Sequence, residues 1–110
     1  MISAEEQAFE AAYTAWRKRI EADPRLSLSS RTYDYTDLKE YQAMIDLGKD
    51  ALPAVMRKIE SGDWLLNEAA LQMAGLRSQD IVPDADQAFL SEQEFARRLL
   101  EWWRQRAPKP

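Results

Sequence analysis

The sequence contains neither cysteine nor histidine among its 110 residues. The absence of cysteine excludes disulfide bonds, thiolate zinc sites and cysteine nucleophiles. The absence of histidine removes the commonest general base and the commonest side-chain ligand of transition metals. A metal site would therefore need oxygen ligands alone, and a hydrolase would have to use carboxylates, lysine or tyrosine.

Glycine and proline are also scarce, with three and five residues respectively. Such sparse breakers favour a few long helices over many short strands. The hydrophobic fraction of 45% and the charged fraction of 31% are typical of a folded globular protein. Because the length matches one ordinary domain, we expect a single helical domain over residues 1–110.

Positive charge is in deficit, since 15 Lys and Arg residues stand against 19 Asp and Glu residues, for a net charge of −4. Nucleic-acid binding usually requires an excess of Lys and Arg, because the ligand is a polyanion. No apolar run approaches the roughly 20 residues that cross a bilayer, and the N-terminal segment lacks the basic and apolar regions of a signal peptide. We therefore expect no nucleic-acid or membrane partner, and a cytoplasmic location.

Apolar residues recur at helical spacing in five segments, which predicts an all-α, compact bundle of about five helices. Ser3 with Glu6, and Ser91 with Glu94, match the capping box in which each side chain satisfies a free backbone N–H of the first turn. Thr36 or Asp37 is the expected cap of the second helix. The predicted helices span residues 3–22, 37–47, 51–60, 63–74 and 92–106.

The predicted helix 63–74 differs from the others because apolar residues cover most of its circumference. Glu68 and Gln72 leave only a thin polar strip, which is typical of a central, buried helix. Asn67 lies on the apolar arc, where a buried amide must be hydrogen-bonded. We therefore expect Asn67 to hold one of the two irregular connections, residues 23–35 or 76–90.

Residues 51–75 read Ala-Leu-Pro-Ala-Val-Met-Arg-Lys-Ile-Glu-Ser-Gly-Asp-Trp-Leu-Leu-Asn-Glu-Ala-Ala-Leu-Gln-Met-Ala-Gly, which resembles one HEAT-type helical repeat. Ile-Asp-Leu-Gly-Lys-Asp-Ala-Leu-Pro, at 45–53, is similar to small uncharacterised bacterial proteins that carry Ile-Asp-Leu-Gly-x-x-Ala-Leu-Pro. The similarity covers residues 41–76, about a third of the chain. The resemblance implies a HEAT-like antiparallel hairpin at the centre of the bundle and, by analogy, a protein-binding scaffold.

The sequence offers no catalytic, cofactor-binding or metal-binding set of residues. It favours a small non-catalytic module that binds another protein, with an adaptor, antitoxin-like, immunity-like or inhibitor role. The alternative is a carboxylate- or lysine-dependent enzyme without metal or cofactor. Such an enzyme needs paired acids that converge in a pocket, and no spacing in the sequence forces that convergence.

The first candidate partner-binding surface is a basic strip on the predicted helix 92–106. Arg97, Arg98 and Arg104 face outward there, with only Glu101 to offset their charge. On an acidic protein such a strip suits an acidic partner surface. We expect reversal of all three to glutamate to weaken binding of the partner while leaving the helix nearly intact.

The second candidate surface is the Ser-, Thr- and Tyr-rich connection 26–35. Arg31, Tyr33 and Tyr35 would supply hydrogen bonds and aromatic area for an adaptable contact. Packing of this connection against the domain itself is the alternative.

Two other sequence patterns suggest a nucleic-acid ligand and a calcium ion, and neither pattern is complete. Trp102 and Trp103 stand beside arginines, as in proteins that stack on nucleic-acid bases, but they share the apolar arc of their helix and are expected in the core or at its edge. The acidic stretch from Asp80 to Asp86 lacks the glycine and the final glutamate of an EF-hand loop, so we expect no calcium site.

Overall fold

The computed structural model describes residues 3–29, 32–87 and 90–106, apart from the side chains of residues 32, 33, 84 and 87. Within these ranges the regular structure is entirely helical, which confirms the predicted all-α class. The α-helices are α1 (Ala4–Ala22), α2 (Pro24–Ser27), α3 (Thr32–Thr36), α4 (Lys39–Ile45), α5 (Leu52–Glu60), α6 (Asn67–Ala74), α7 (Asp84–Gln87) and α8 (Glu92–Arg106). Short 3-10 turns cover Lys49–Ala51, Trp64–Leu66 and Ser78–Asp80.

The five longest helices, α1, α4, α5, α6 and α8, lie inside the five predicted segments. The limits of α1 and α8 follow their serine caps, since Ser3 accepts from the Glu6 N–H and Ser91 from the Glu94 N–H, both at 3.1 Å. The expected side-chain cap of the second helix is wrong. Leu38 is the N-cap of α4, with extended backbone and no side-chain hydrogen bond.

Residues 23–35, which the sequence predicts to be an irregular connection, contain α2 and most of α3. Asp23 starts α2, because its Oδ1 accepts from the Arg25 N–H at 3.0 Å and Pro24 follows in the first turn. The Trp16 indole N–H of α1 donates to the Tyr35 carbonyl at 2.7 Å, which fixes α3 against the bundle. Such local and tertiary hydrogen bonds stabilise helices of about one turn. Helices of this length are too short for their sequence to show a hydrophobic periodicity.

A single buried cluster joins α1, α4, α5, α6 and α8. Helix α1 buries Phe9, Trp16 and Ile20 on one face. Trp102 and Trp103 are half-buried and pack against the cluster, so their expected position at the edge of the core is confirmed. The described residues contain no helix that combines the length and the apolar character needed to span a membrane.

Residues 51–75 form α5, a turn, a 3-10 turn and α6, and α6 contacts α4, α5 and α8. Ile59 of α5 and Leu71 of α6 are buried. Gly75 ends α6 with a φ of 72°, a left-handed conformation that glycine adopts without a Cβ clash. The Leu76 N–H then donates to the Leu71 carbonyl at 2.9 Å, which completes a Schellman motif. The relationship of this helical pair to HEAT repeats stays a prediction.

The turn between α5 and α6 is tied to α1 by Tyr13. Its hydroxyl donates to Asp63 Oδ2 at 2.5 Å, and the Lys58 ammonium lies 4.6 Å from the centre of the Tyr13 ring. Glu10 pairs with Lys58 at 3.3 Å across the same helix contact. Burial, and then the hydrogen bond to Asp63, raise the pKa of Tyr13 to about 12.

Truncation of Leu71 to alanine should lower the free energy of unfolding by about 2–5 kcal/mol, because it leaves a cavity in the core. Glu68→Ala is the matched control, since Glu68 is exposed on the same helix and its loss should cost far less. Urea unfolding of both variants measures the difference. A greater loss for Glu68→Ala would show that α6 is rotated relative to this packing.

Alkaline stability should depend on Tyr13. An unfolded tyrosine releases its proton near its ordinary pKa of about 10, whereas folded Tyr13 keeps it up to about pH 12. The stability from the raised pKa is therefore complete below about pH 10 and is lost as the pH rises to about 12. In Tyr13→Phe the free energy of unfolding should fall less steeply across this window, as measured by urea unfolding at several pH values. An unchanged slope would contradict this assignment.

Candidate functional site

A cavity of about 630 Å³ lies where α4, α6 and α8 meet. Exposed polar side chains form its mouth, and the buried residues Tyr41, Asn67 and Leu71 form its floor. Its volume falls in the range of small-ligand pockets, about 300–1,000 Å³. The described lining residues are Thr36, Asp37, Tyr41, Gln42, Ile45, Leu65, Asn67, Glu68, Leu71, Gln72, Ser78, Leu90, Ser91, Glu92 and Phe95.

Three carboxylates, those of Asp37, Glu68 and Glu92, lie on the wall of this cavity. None of the described lining residues is lysine or arginine. None of the three acids forms an ion pair within the part of the chain that the structure describes, although acids elsewhere, such as Glu10 and Glu60, do. Within the described residues, the negative charge of the cavity wall therefore has no paired cation.

Asn67, on the floor of the cavity, is 3% exposed. Its Nδ2 donates to the backbone carbonyl of Glu92 at 3.0 Å and to Glu92 Oε2 at 3.1 Å. The side chain of Asn67 is thus hydrogen-bonded, but its partner is the first residue of α8 and not a residue of the irregular connection 76–90. Asn67 Oδ1 is buried and accepts no hydrogen bond from any described residue. A buried acceptor in this state typically costs about 1–3 kcal/mol.

Tyr41 fixes the other side of the cavity. Its hydroxyl donates to the Leu65 carbonyl at 2.7 Å and accepts from the Ala69 N–H at 2.9 Å. It thereby caps the first turn of α6, where the N-cap residue Leu66 offers no side-chain bond. Burial raises the pKa of Tyr41 well above its usual value, so its hydroxyl keeps the proton that it donates.

The arginines of the basic strip, Arg97, Arg98 and Arg104, are already paired. Arg97 binds both Glu94 and Glu101, and Arg98 Nε lies 3.4 Å from Glu94 Oε1. Arg104 lies 3.5 Å from Glu60 of α5. The contact with Glu94, and then that with Glu101, raise the pKa of Arg97, and Arg97 in turn lowers the pKa of Glu94. The expectation that Glu101 alone offsets the strip is therefore wrong, because two further acids pair with it. A partner contact here stays a prediction.

In the second candidate surface, the side chain of Tyr35 is used within the domain. Its hydroxyl donates to the Ser29 carbonyl, and the residue is half-buried against the core. Arg31 and the side chain of Tyr33 lie outside the described residues. Leu28 is 87% exposed and is the one large apolar side chain in the described part of this segment that faces solvent so fully. Partner binding by this segment also stays a prediction.

The structure does not bring the predicted contact residues to the cavity. Arg97, Arg98, Arg104 and Tyr35 lie outside its described lining. Conversely, sequence reasoning missed the carboxylates of the wall, because they come from the connection before α4, from α6 and from the start of α8. The only feature of the sequence that pointed to this site was Asn67, an amide on the apolar arc of its predicted helix.

Comparison of the chain with protein-family models, with curated proteins and with solved structures gives no match. The described acids of the cavity do not form a cluster of three or more that could hold one metal ion.

Removal of the Tyr41 hydroxyl should destabilise the fold without leaving a large void. In Tyr41→Phe the Ala69 N–H and the Leu65 carbonyl lose a buried partner, which typically costs about 1–3 kcal/mol. Urea unfolding should show this loss, and hydrogen exchange at the Ala69 amide should become faster. Tyr35→Phe serves as the control, since its hydroxyl does not contact α6. Unchanged exchange at Ala69 would show that Tyr41 does not cap the helix.

Proposed function

We propose that this protein is a non-catalytic protein-interaction module that binds a basic segment of a partner protein, with a cationic side chain held in the acidic cavity. One observation carries the proposal. The cavity has three carboxylates without a cation partner among the described residues, and its floor holds an unsatisfied buried acceptor, Asn67 Oδ1.

The composition of the wall suits a lysine or arginine side chain. Such a side chain has an apolar stem and a charged head, and buries the stem against apolar surface. Ile45, Leu71 and Phe95 supply that surface, while Glu68 and Glu92 supply the countercharge. Complementary charge also speeds the encounter of an acidic protein with a basic partner.

The resemblance of residues 51–75 to a HEAT-type repeat supports a protein-binding role by analogy. Adaptor, antitoxin-like, immunity-like and inhibitor roles in the cytoplasm all agree with it. The basic strip on α8 is the weaker contact surface in this proposal. An acidic partner would have to displace Glu94, Glu101 and Glu60 from the arginines before it could bind there.

A carboxylate-dependent enzyme is the second candidate, because acids do share one cavity. General acid–base catalysis needs a protonated and an ionised group around one reacting bond. We rank it second because the described lining offers no lysine or arginine to stabilise an oxyanion.

The test is the binding of a fluorescent peptide that alternates lysine and arginine with serine, followed by anisotropy. The cavity variant combines Asp37→Asn, Glu68→Gln and Glu92→Gln, which remove charge but keep size and hydrogen-bonding atoms. We expect it to bind at least about tenfold more weakly than the unaltered protein, a change of about 1.4 kcal/mol.

The matched control combines Glu5→Gln, Glu21→Gln and Asp86→Asn, which remove the same charge from exposed positions outside the cavity. It should bind within about twofold of the unaltered protein. Equal weakening of the two variants would reduce the effect to net charge and would contradict the proposal. A third variant, with Arg97, Arg98 and Arg104 changed to glutamine, should bind the peptide normally. Loss of binding in that variant alone would move the site to the strip.

A further inference from the structure

We draw no further inference here: the strongest candidate, the group of Asp37, Glu68 and Glu92 at the mouth of the cavity between α4, α6 and α8, belongs to the site already described, and no second feature of the described residues selects its ligand.

Discussion

The hydroxyl of Tyr41 links the helices on which the cavity depends. α6 starts after a 3-10 turn with leucine at its N-cap, so no local side chain is available for its free N–H groups. Tyr41 of α4 reaches across to bond the Ala69 N–H and the Leu65 carbonyl. Its ring also packs edge-on against Trp16 of α1, with the centroids 5.2 Å apart. A single buried side chain therefore sets the positions of α1, α4 and α6.

The walls of the cavity are held together by hydrogen bonds on both sides of α6. Tyr41 joins α6 to α4, and Asn67 joins α6 to α8. Both hydrogen bonds use groups near the start of α6, where Leu66 and Ala69 are also buried in the core. For the proposed function this matters because a preorganised site loses less conformational entropy on binding.

The long helices followed from the sequence because each buries a periodic stripe large enough to be seen, as with Phe9, Trp16 and Ile20 in α1. The short helix α2 has no such stripe and depends on the side chain of Asp23. The cap of α6 comes from a residue 28 positions away, which no local pattern contains. The pairing of Arg97 with Glu94 was visible as an i, i+3 spacing, whereas that of Arg104 with Glu60 exists only after α5 and α8 pack. The acids of the cavity are likewise brought together only by the packing of the helices, so no local sequence pattern shows them.

The distribution of charge sets the cavity apart from the rest of the surface. Arg97, Arg98 and Arg104 of α8 and the two cations of α5 are paired with acids, and such exposed pairs contribute little to stability. Around the cavity, the carboxylates of Asp37, Glu68 and Glu92 form no ion pair within the described part of the chain, and Asn67 Oδ1 accepts no hydrogen bond there. Both features oppose folding, since like charges repel and an unpaired buried acceptor is costly. If the proposed function holds, a bound cation would relieve the charge repulsion, and because only the folded chain assembles the cavity, binding would stabilise the fold by mass action. The energetic weakness of this region and its proposed function thus have the same physical origin.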